Sequence, residues 1–261
     1  MTVQDRIALV TGGGTGIGRG IALALAAQGA KVAICGRHKE KLDDAAHAIY
    51  AGGGEVLAVP ADVTRRPEVE VVVDTVVRRW GQIDILVNNA GASGRTPIDD
   101  PDDQRWLGIL DVNLTGSYLC AKLVFPHMKG TGYGRIINMS SVLGRFGVPG
   151  YLAYCTAKHG ILGFTKALAL EVAELGITVN AVCPTWVDTA MARQGIEETA
   201  ARLGIPPEMF REQAIAAIPI KRMASVEEVA SLVVYLCSPE AAAITGQAIN
   251  VCGGATAGMA G

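Results

Sequence analysis

The sequence predicts an α/β protein: one doubly wound parallel sheet of about seven strands with helices on both faces, forming a single domain over residues 1–261. Three observations predict it. Apolar runs of five to nine residues alternate, about seven times, with segments whose apolar residues recur at helical spacing. The runs are continuously apolar, as strands covered on both faces require, and right-handed crossovers then give a parallel sheet. Half of the 261 residues are apolar, which supplies a large core, and the length fits one large domain better than two small ones.

The first run, RIALVTG at 6–12, ends in glycine and leads into GGTGIGRGIALALAAQGA, a helix that opens on glycines. Gly12, Gly16 and Gly18 follow Thr11 as T-G-x-x-x-G-x-G, with Thr15 and Ile17 between them. Backbone free of side chains can approach a pyrophosphate there, and the amides and dipole at the helix start favour its charge. A glycine turn without a ligand is the alternative. The second run, KVAICGR at 31–37, ends in Gly36 and Arg37, where NAD-binding sheets carry an acidic residue for the ribose hydroxyls. A guanidinium there can pair with a 2′-phosphate, so NADP(H) is favoured over NAD(H), a solvated Arg37 being the alternative.

HKEKLDDAAHAIYAGG has helical spacing, and EVLAVPADV is a third strand ending at Asp62 and Val63. Asp62 either accepts from an adenine amino group or caps the next helix, which begins around Thr64 and buries Val69, Val72, Val73, Val76 and Val77. The fourth run, IDILVNNAG at 83–91, turns polar at its carboxyl end, where ligands bind in open parallel sheets, and Asn89, Ala90 and Gly91 read as a wall against the cofactor. After the polar loop ASGRTPIDDPDDQ comes a helix containing Asn113, a residue that is unfavourable inside a helix. It either bends the helix and holds a water near Lys158 or is a satisfied buried amide.

The fifth run, RIINMSS, leads to Ser141 and to a helix from about Ala153 on which Tyr154 and Lys158 stand one turn apart on one face. An ammonium about 4 Å from the phenol oxygen, at an effective dielectric near 20, favours phenolate by about 4 kcal/mol before desolvation is charged against it. That is roughly three pKa units and would bring the tyrosine to near 7, where it exchanges a proton with a substrate oxygen that Ser141 holds. A surface tyrosine beside a solvated lysine is the bland alternative. The sixth run, ITVNAVCP at 177–184, is followed by Thr185 to Thr189 and about thirty residues without a strand, expected to form one or two mobile helices and a substrate lid at about 189–220. The helix VEEVASLVVYLCS and the strand AINVCGG complete the fold, and ATAGMAG at the end looks loose.

The formal charge is −2 with no basic run, which argues against nucleic acid or an anionic membrane as partner. Glycines and charges break the apolar runs before the ~20 residues of a membrane helix, and the N-terminal stretch lacks the order of a signal peptide. The expected location is cytoplasmic. Six cysteines are scattered singly without ligand spacing, so four or five read as core residues and none as a metal ligand. Cys155 beside Tyr154 is not expected to be a nucleophile.

With TGGGTGIG at 11–18, Asp62, NNAG at 88–91, Asn113, Ser141, YCTAK at 154–158 and CPTWVDT at 183–189 in this order, the chain resembles the short-chain dehydrogenase/reductase family over nearly its full length. The resemblance implies a doubly wound (Rossmann) sheet and hydride transfer between nicotinamide and a carbonyl or alcohol carbon. It makes Tyr154 the acid/base, Ser141 the group that orients the substrate oxygen, Lys158 both a pKa perturber and a ligand of the nicotinamide ribose, and Asn113 the holder of a relay water. Pro184, Val187 and Thr189 would hold the carboxamide, although the family's frequent Pro-Gly is Pro184-Thr185 here. The resemblance also implies a homotetramer or dimer acting on a small molecule. GFTKALALEVA and QAINVCGG are similar to ketoreductases of aromatic polyketides and acyl thioesters, but their Pro-Gly-Gly after NNAG is replaced by Ala92, Ser93 and Gly94. Phe146, Tyr151, Trp186 and Met191, with Met209 and Phe210, flank the expected cleft and point to an apolar, aromatic or thioester-linked ketone. An NAD-dependent secondary alcohol or hydroxyacyl dehydrogenase and a non-catalytic dinucleotide sensor are the other readings.

Overall fold

In a computed structural model describing residues 2–258, seven strands form one parallel sheet in the order β3-β2-β1-β4-β5-β6-β7. The strands are β1 (Ile7–Thr11), β2 (Lys31–Gly36), β3 (Val56–Pro60), β4 (Ile85–Asn88), β5 (Gly134–Met139), β6 (Ile177–Pro184) and β7 (Ala248–Val251). The helices are α1 (Gly16–Ala27), α2 (Lys39–Ala51), α3 (Arg66–Trp80), α4 (Asp103–Leu110), α5 (Gly116–Met128), α6 (Leu152–Val172), α7 (Ala190–Leu203), α8 (Pro207–Ala216) and α9 (Val226–Cys237). Of the tail ATAGMAG, residues 259–261 lie outside the described residues, and 255–257 form turns.

Strand pleating sorts the apolar runs onto two cores. Ala8, Val10, Val32, Ile34, Ile85 and Val87 face α1, α2 and α9. Leu9, Ala33, Cys35, Leu86 and Ile136 face α3, α5 and α6 on the other side. Five of the six cysteines are buried, Cys155 being the half-buried exception. β3 lies at a sheet edge and ends in Pro60, whose missing N–H costs an edge strand nothing.

The order reverses between β1 and β4: the chain runs out through β2 and β3, then returns to pair β4 with β1, Leu9 opposite Leu86. Loops at the carboxyl ends diverge at such a switch point and leave a crevice. β4 is shorter than its apolar run because the amides of Asn89 and Ala90 leave the ladder for the Thr11 hydroxyl, each at 2.9 Å. The helix of Asn113 is also modified, with a π-helical turn at Asp111–Thr115 joining α4 to α5. The result is a continuous helical stretch from Asp103 to Met128, long and apolar enough by composition to cross a membrane. Here it packs in the core through Cys120, Ala121, Val124 and Met128, and Gly116 lies against Val63. The strandless stretch after β6 is two helices, α7 and α8.

Candidate active site

The first wall of the crevice is the glycine turn. Gly12 and Gly16 have φ of +65° and +51°, and a Cβ at Gly18 would overlap the Gly12 carbonyl. Asn89 reaches across from β4, its Nδ2 donating to the Thr11 and Gly12 carbonyls at 3.0 and 3.4 Å. The asparagine is thus a brace of the glycine turn, while Ala90 and Gly91 line the groove itself. Thr11 was not among the expected site residues, yet its hydroxyl ties the ends of β1 and β4 together; its place in T-G-x-x-x-G-x-G was the available signal.

A groove of about 140 Å³ opens along Gly12, Gly14, Thr15, Arg37, Asp62 and Val63, and a hollow of about 290 Å³ adjoins it at Arg37, Asp62 and Arg65. Arg37 is exposed and makes no ion pair among the described residues, and His38 and Lys41 stand beside it. Asp62 spends Oδ1 on a turn, accepting from the Thr64 amide and hydroxyl at 2.9 and 2.8 Å, and it also lines the groove. α3 starts two residues later than expected, at Arg66, with Pro67 in its first turn.

Behind the groove, Asn113 is 1% exposed, and its Nδ2 donates to the Ala92 and Ile109 carbonyls, both at 2.8 Å. Among the described residues its Oδ1 has no partner, and it faces Gly91, where a Cβ would lie 2.6 Å away. The amide is therefore only half satisfied, and Lys158 Nζ also lies near Gly91, 3.7 Å from that same Cβ position. A π turn presents such a side chain without breaking the helix. The glycine turn, the cationic end of the groove and this unpartnered acceptor fit a nicotinamide dinucleotide.

Ser141 follows β5, and its hydroxyl accepts from the Leu143 amide at 3.1 Å in a 3₁₀ turn at Val142–Gly144. Ser140 pins that turn to α6 by donating to the Lys158 carbonyl at 3.0 Å. The Ser141 hydroxyl donates to the Pro184 carbonyl at 3.4 Å and, standing beside Tyr154, favours its phenolate. Tyr154 and Lys158 share a face of α6 as the spacing predicts, with Nζ 5.5 Å from the ring centroid. The expected electrostatics are corrected. The ammonium donates to the Met139 carbonyl at 2.8 Å, and its own burial lowers its pKa to about 8. Desolvation dominates the phenol and raises it to about 12, with the neighbouring Ser141 hydroxyl the one lowering influence. The expectation of a tyrosine near 7 neglected this desolvation, which penalises the charged form of both partners. The phenol is a proton donor at neutral pH, the state a developing alkoxide needs.

An apolar cleft of about 400 Å³ opens on Ser141 and Tyr154. Phe146, Tyr151, Trp186 and Met191 line it together with Ile17, Pro184, Val187 and Thr189. Phe210 joins them, its ring edge-on to Trp186 at 6.5 Å, whereas Met209 is not on the wall. Thr189 caps α7, its hydroxyl accepting from the Ala192 amide at 3.3 Å and donating to the Val187 carbonyl at 3.2 Å, so the hydroxyl expected to hold a carboxamide has local partners. Thr189 also touches the glycine turn, its Cγ2 lying 3.5 Å from where a Gly16 Cβ would be. Arg95, Thr199 and Arg202 also line the cleft; they come from a polar loop and a helix face that carry no local motif.

A glycine turn at the switch point of a parallel sheet, next to a serine–tyrosine pair that can move a proton at a substrate oxygen, defines an NAD(P)-dependent oxidoreductase acting between CH–OH and C=O. Residues 12–256 match the family profile described as enoyl-(acyl carrier protein) reductase. The chain belongs to the short-chain dehydrogenase/reductase family and is a ketoreductase-like member of it. It is similar to a D-beta-hydroxybutyrate dehydrogenase of Rhizobium meliloti, 40% identical over 97% of this chain and 100% of that one. Among solved structures, a single-residue variant of actinorhodin polyketide ketoreductase with NADPH superposes with a TM-score of 0.94 at 42% identity, covering 98% of this chain and 99% of that one. NAD⁺-bound xylitol dehydrogenase superposes with a TM-score of 0.93 at 32% identity, covering 97% and 100%.

Proposed function

We propose that the protein is an NADP(H)-preferring reductase that converts an apolar, aromatic or thioester-linked ketone to a secondary alcohol. The observation that carries this reading is a protonated Tyr154 phenol beside the Ser141 hydroxyl on the wall of an apolar cleft. A bound nicotinamide would supply the hydride to the carbonyl carbon. Tyr154 passes its phenol proton to the substrate oxygen, and Ser141 donates to that oxygen and aligns it. Lys158, protonated at neutral pH, stabilises the phenolate as it forms and offers further N–H donors to a ribose. The Asn113 carbonyl oxygen is the acceptor through which a proton relay would continue.

Arg37, with His38 and Lys41 beside it, supports a 2′-phosphate at the far end of the groove. Pro184, Val187 and Thr189 form the edge between groove and cleft where a carboxamide would lie, and α7 and α8 serve as the substrate lid. Exposed Leu107, Tyr118 and Leu170 on the α4, α5 and α6 side support assembly into a dimer or tetramer, which sizing by light scattering checks. An NAD-dependent alcohol dehydrogenase is the second reading, favoured by the NAD⁺-bound xylitol dehydrogenase likeness.

The test is a panel of ketones and alcohols assayed with NADPH and NADH, in wild type and Tyr154→Phe. Turnover should fall by roughly 10²–10⁴-fold in the variant while NADPH affinity stays within a few fold. A variant that keeps most of its activity refutes the acid/base role, and a clear NADH preference refutes the role of Arg37.

A further inference from the structure

Among the described residues lining the cleft of about 400 Å³, the charged side chains are Arg95 and Arg202, and none is a carboxylate. Neither arginine is ion-paired among the described residues. Two unneutralised cations in an otherwise apolar or neutral cleft raise the local concentration of anions and favour an anionic group in a bound ligand.

Arg95 is held in place rather than waving from a loop. The next residue, Thr96, is buried; its amide donates to the Gly150 carbonyl at 2.8 Å, and its hydroxyl accepts from the Ala153 amide at 2.9 Å in the first turn of α6. Gly150 has φ +82°, and a Cβ there would overlap the Arg95 guanidinium. The guanidinium carbon lies 5.7 Å from the Tyr151 ring centroid. Tyr151 is one helical turn before Tyr154, roughly 5 Å along the axis. Arg202 comes from α7, three residues after Thr199, whose hydroxyl lies 3.5 Å from the Tyr151 phenol. Both arginines thus line the cleft together with Tyr151, near the proton donor.

We infer that the substrate carries an oxyanion, a carboxylate or a phosphate, close to its reacting carbonyl, and that Arg95 and Arg202 select it. The inference rests on the ketone-reductase reading and narrows its substrate class. An arginine fork meets either oxyanion with paired N–H donors, a geometry lysine cannot reproduce.

The experiment measures kcat/KM with NADPH for two pairs of ketones: an aryl oxo acid against its methyl ester, and a short-chain oxoalkyl phosphate against its dimethyl ester. In wild type the charged member of one pair should be preferred at least tenfold at low salt, and which pair shows it identifies carboxylate or phosphate. In Arg95→Gln and Arg202→Gln that preference should fall toward unity, and Arg95→Lys should keep part of it. Equal turnover of charged and neutral members by wild type overturns the inference and leaves the reductase reading standing. A preference that survives both glutamine substitutions does the same. Absence of turnover for all four ketones overturns both.

Discussion

Lys158 is 5% exposed, and its ammonium is held by one backbone carbonyl, with burial bringing its pKa from 10.5 down to about 8. The charged form is thus disfavoured by folding. Between about pH 8 and 10.5 the unfolded chain binds more protons than the native protein, so this group makes stability rise with pH across that window, and its penalty is fully present below it. At about 1.4 kcal/mol per pKa unit the penalty is roughly 3 kcal/mol near pH 7, of which about 2–3 kcal/mol is relieved by pH 10. Burial raises the thiols Cys35, Cys120 and Cys237, whose alkaline effect has the opposite sign, but they are common to wild type and variant and cancel in the difference. For Lys158→Met, urea unfolding without added cofactor should therefore show stability relative to wild type that declines by about 2–3 kcal/mol from pH 7 to pH 10. Ketone reduction should be largely lost at every pH. A stability difference that is flat with pH would refute the reasoning, because it would mean that Lys158 carries its charge in the fold as easily as in water.

Tyr154 gives the direction of the pH profile: with its phenol raised to about 12, kcat/KM for alcohol oxidation should climb about tenfold per pH unit through the neutral range, while reduction stays nearly level up to pH 8. Parallel profiles in the two directions would count against a protonated phenol held at this site. Gly18→Ala should cost about 1–3 kcal/mol of stability and weaken NADPH binding at least tenfold by fluorescence titration, since its Cβ would overlap the Gly12 carbonyl; unaltered binding would show that the turn can shift freely. At Gly36 a Cβ would meet only ordinary contacts, Leu42 Cδ2 at 3.8 Å and Gly12 Cα at 3.9 Å, so a carboxylate fits beside Arg37. Gly36→Asp should shift the NADPH-to-NADH ratio of kcat/KM toward NADH by about tenfold or more, roughly 1.4 kcal/mol of repulsion against a 2′-phosphate. An unchanged ratio would place that phosphate elsewhere or nowhere.

Much of the fold was legible because its signals are local. Continuous apolar runs are strands covered on both faces; β6 has the bounds read from ITVNAVCP, and the others end within about three residues of their runs. The runs overstate strand length where a backbone amide finds a better partner, as at Asn89 and Ala90, and hydropathy carries no trace of that choice. The helical spacing of α6 put Tyr154 and Lys158 on one face, but not the direction in which Nζ turns, which the Met139 carbonyl decides. Arg95 and Arg202 lie 107 positions apart in segments with no motif, and only folding makes them neighbours of one cleft.

By itself, then, the sequence determined the class of sheet, the glycine turn and the membership of the serine, tyrosine and lysine set, because each depends on spacing along one element or on the end of one run. The tertiary structure decided the strand order, the charge on the reacting pair and the cationic wall of the cleft. Those depend on what surrounds a group in space. Burial costs an ion far more than a neighbouring charge one helical turn away returns, and no property of residues 154 and 158 alone could reveal how deeply the sheet and the 3₁₀ turn enclose them.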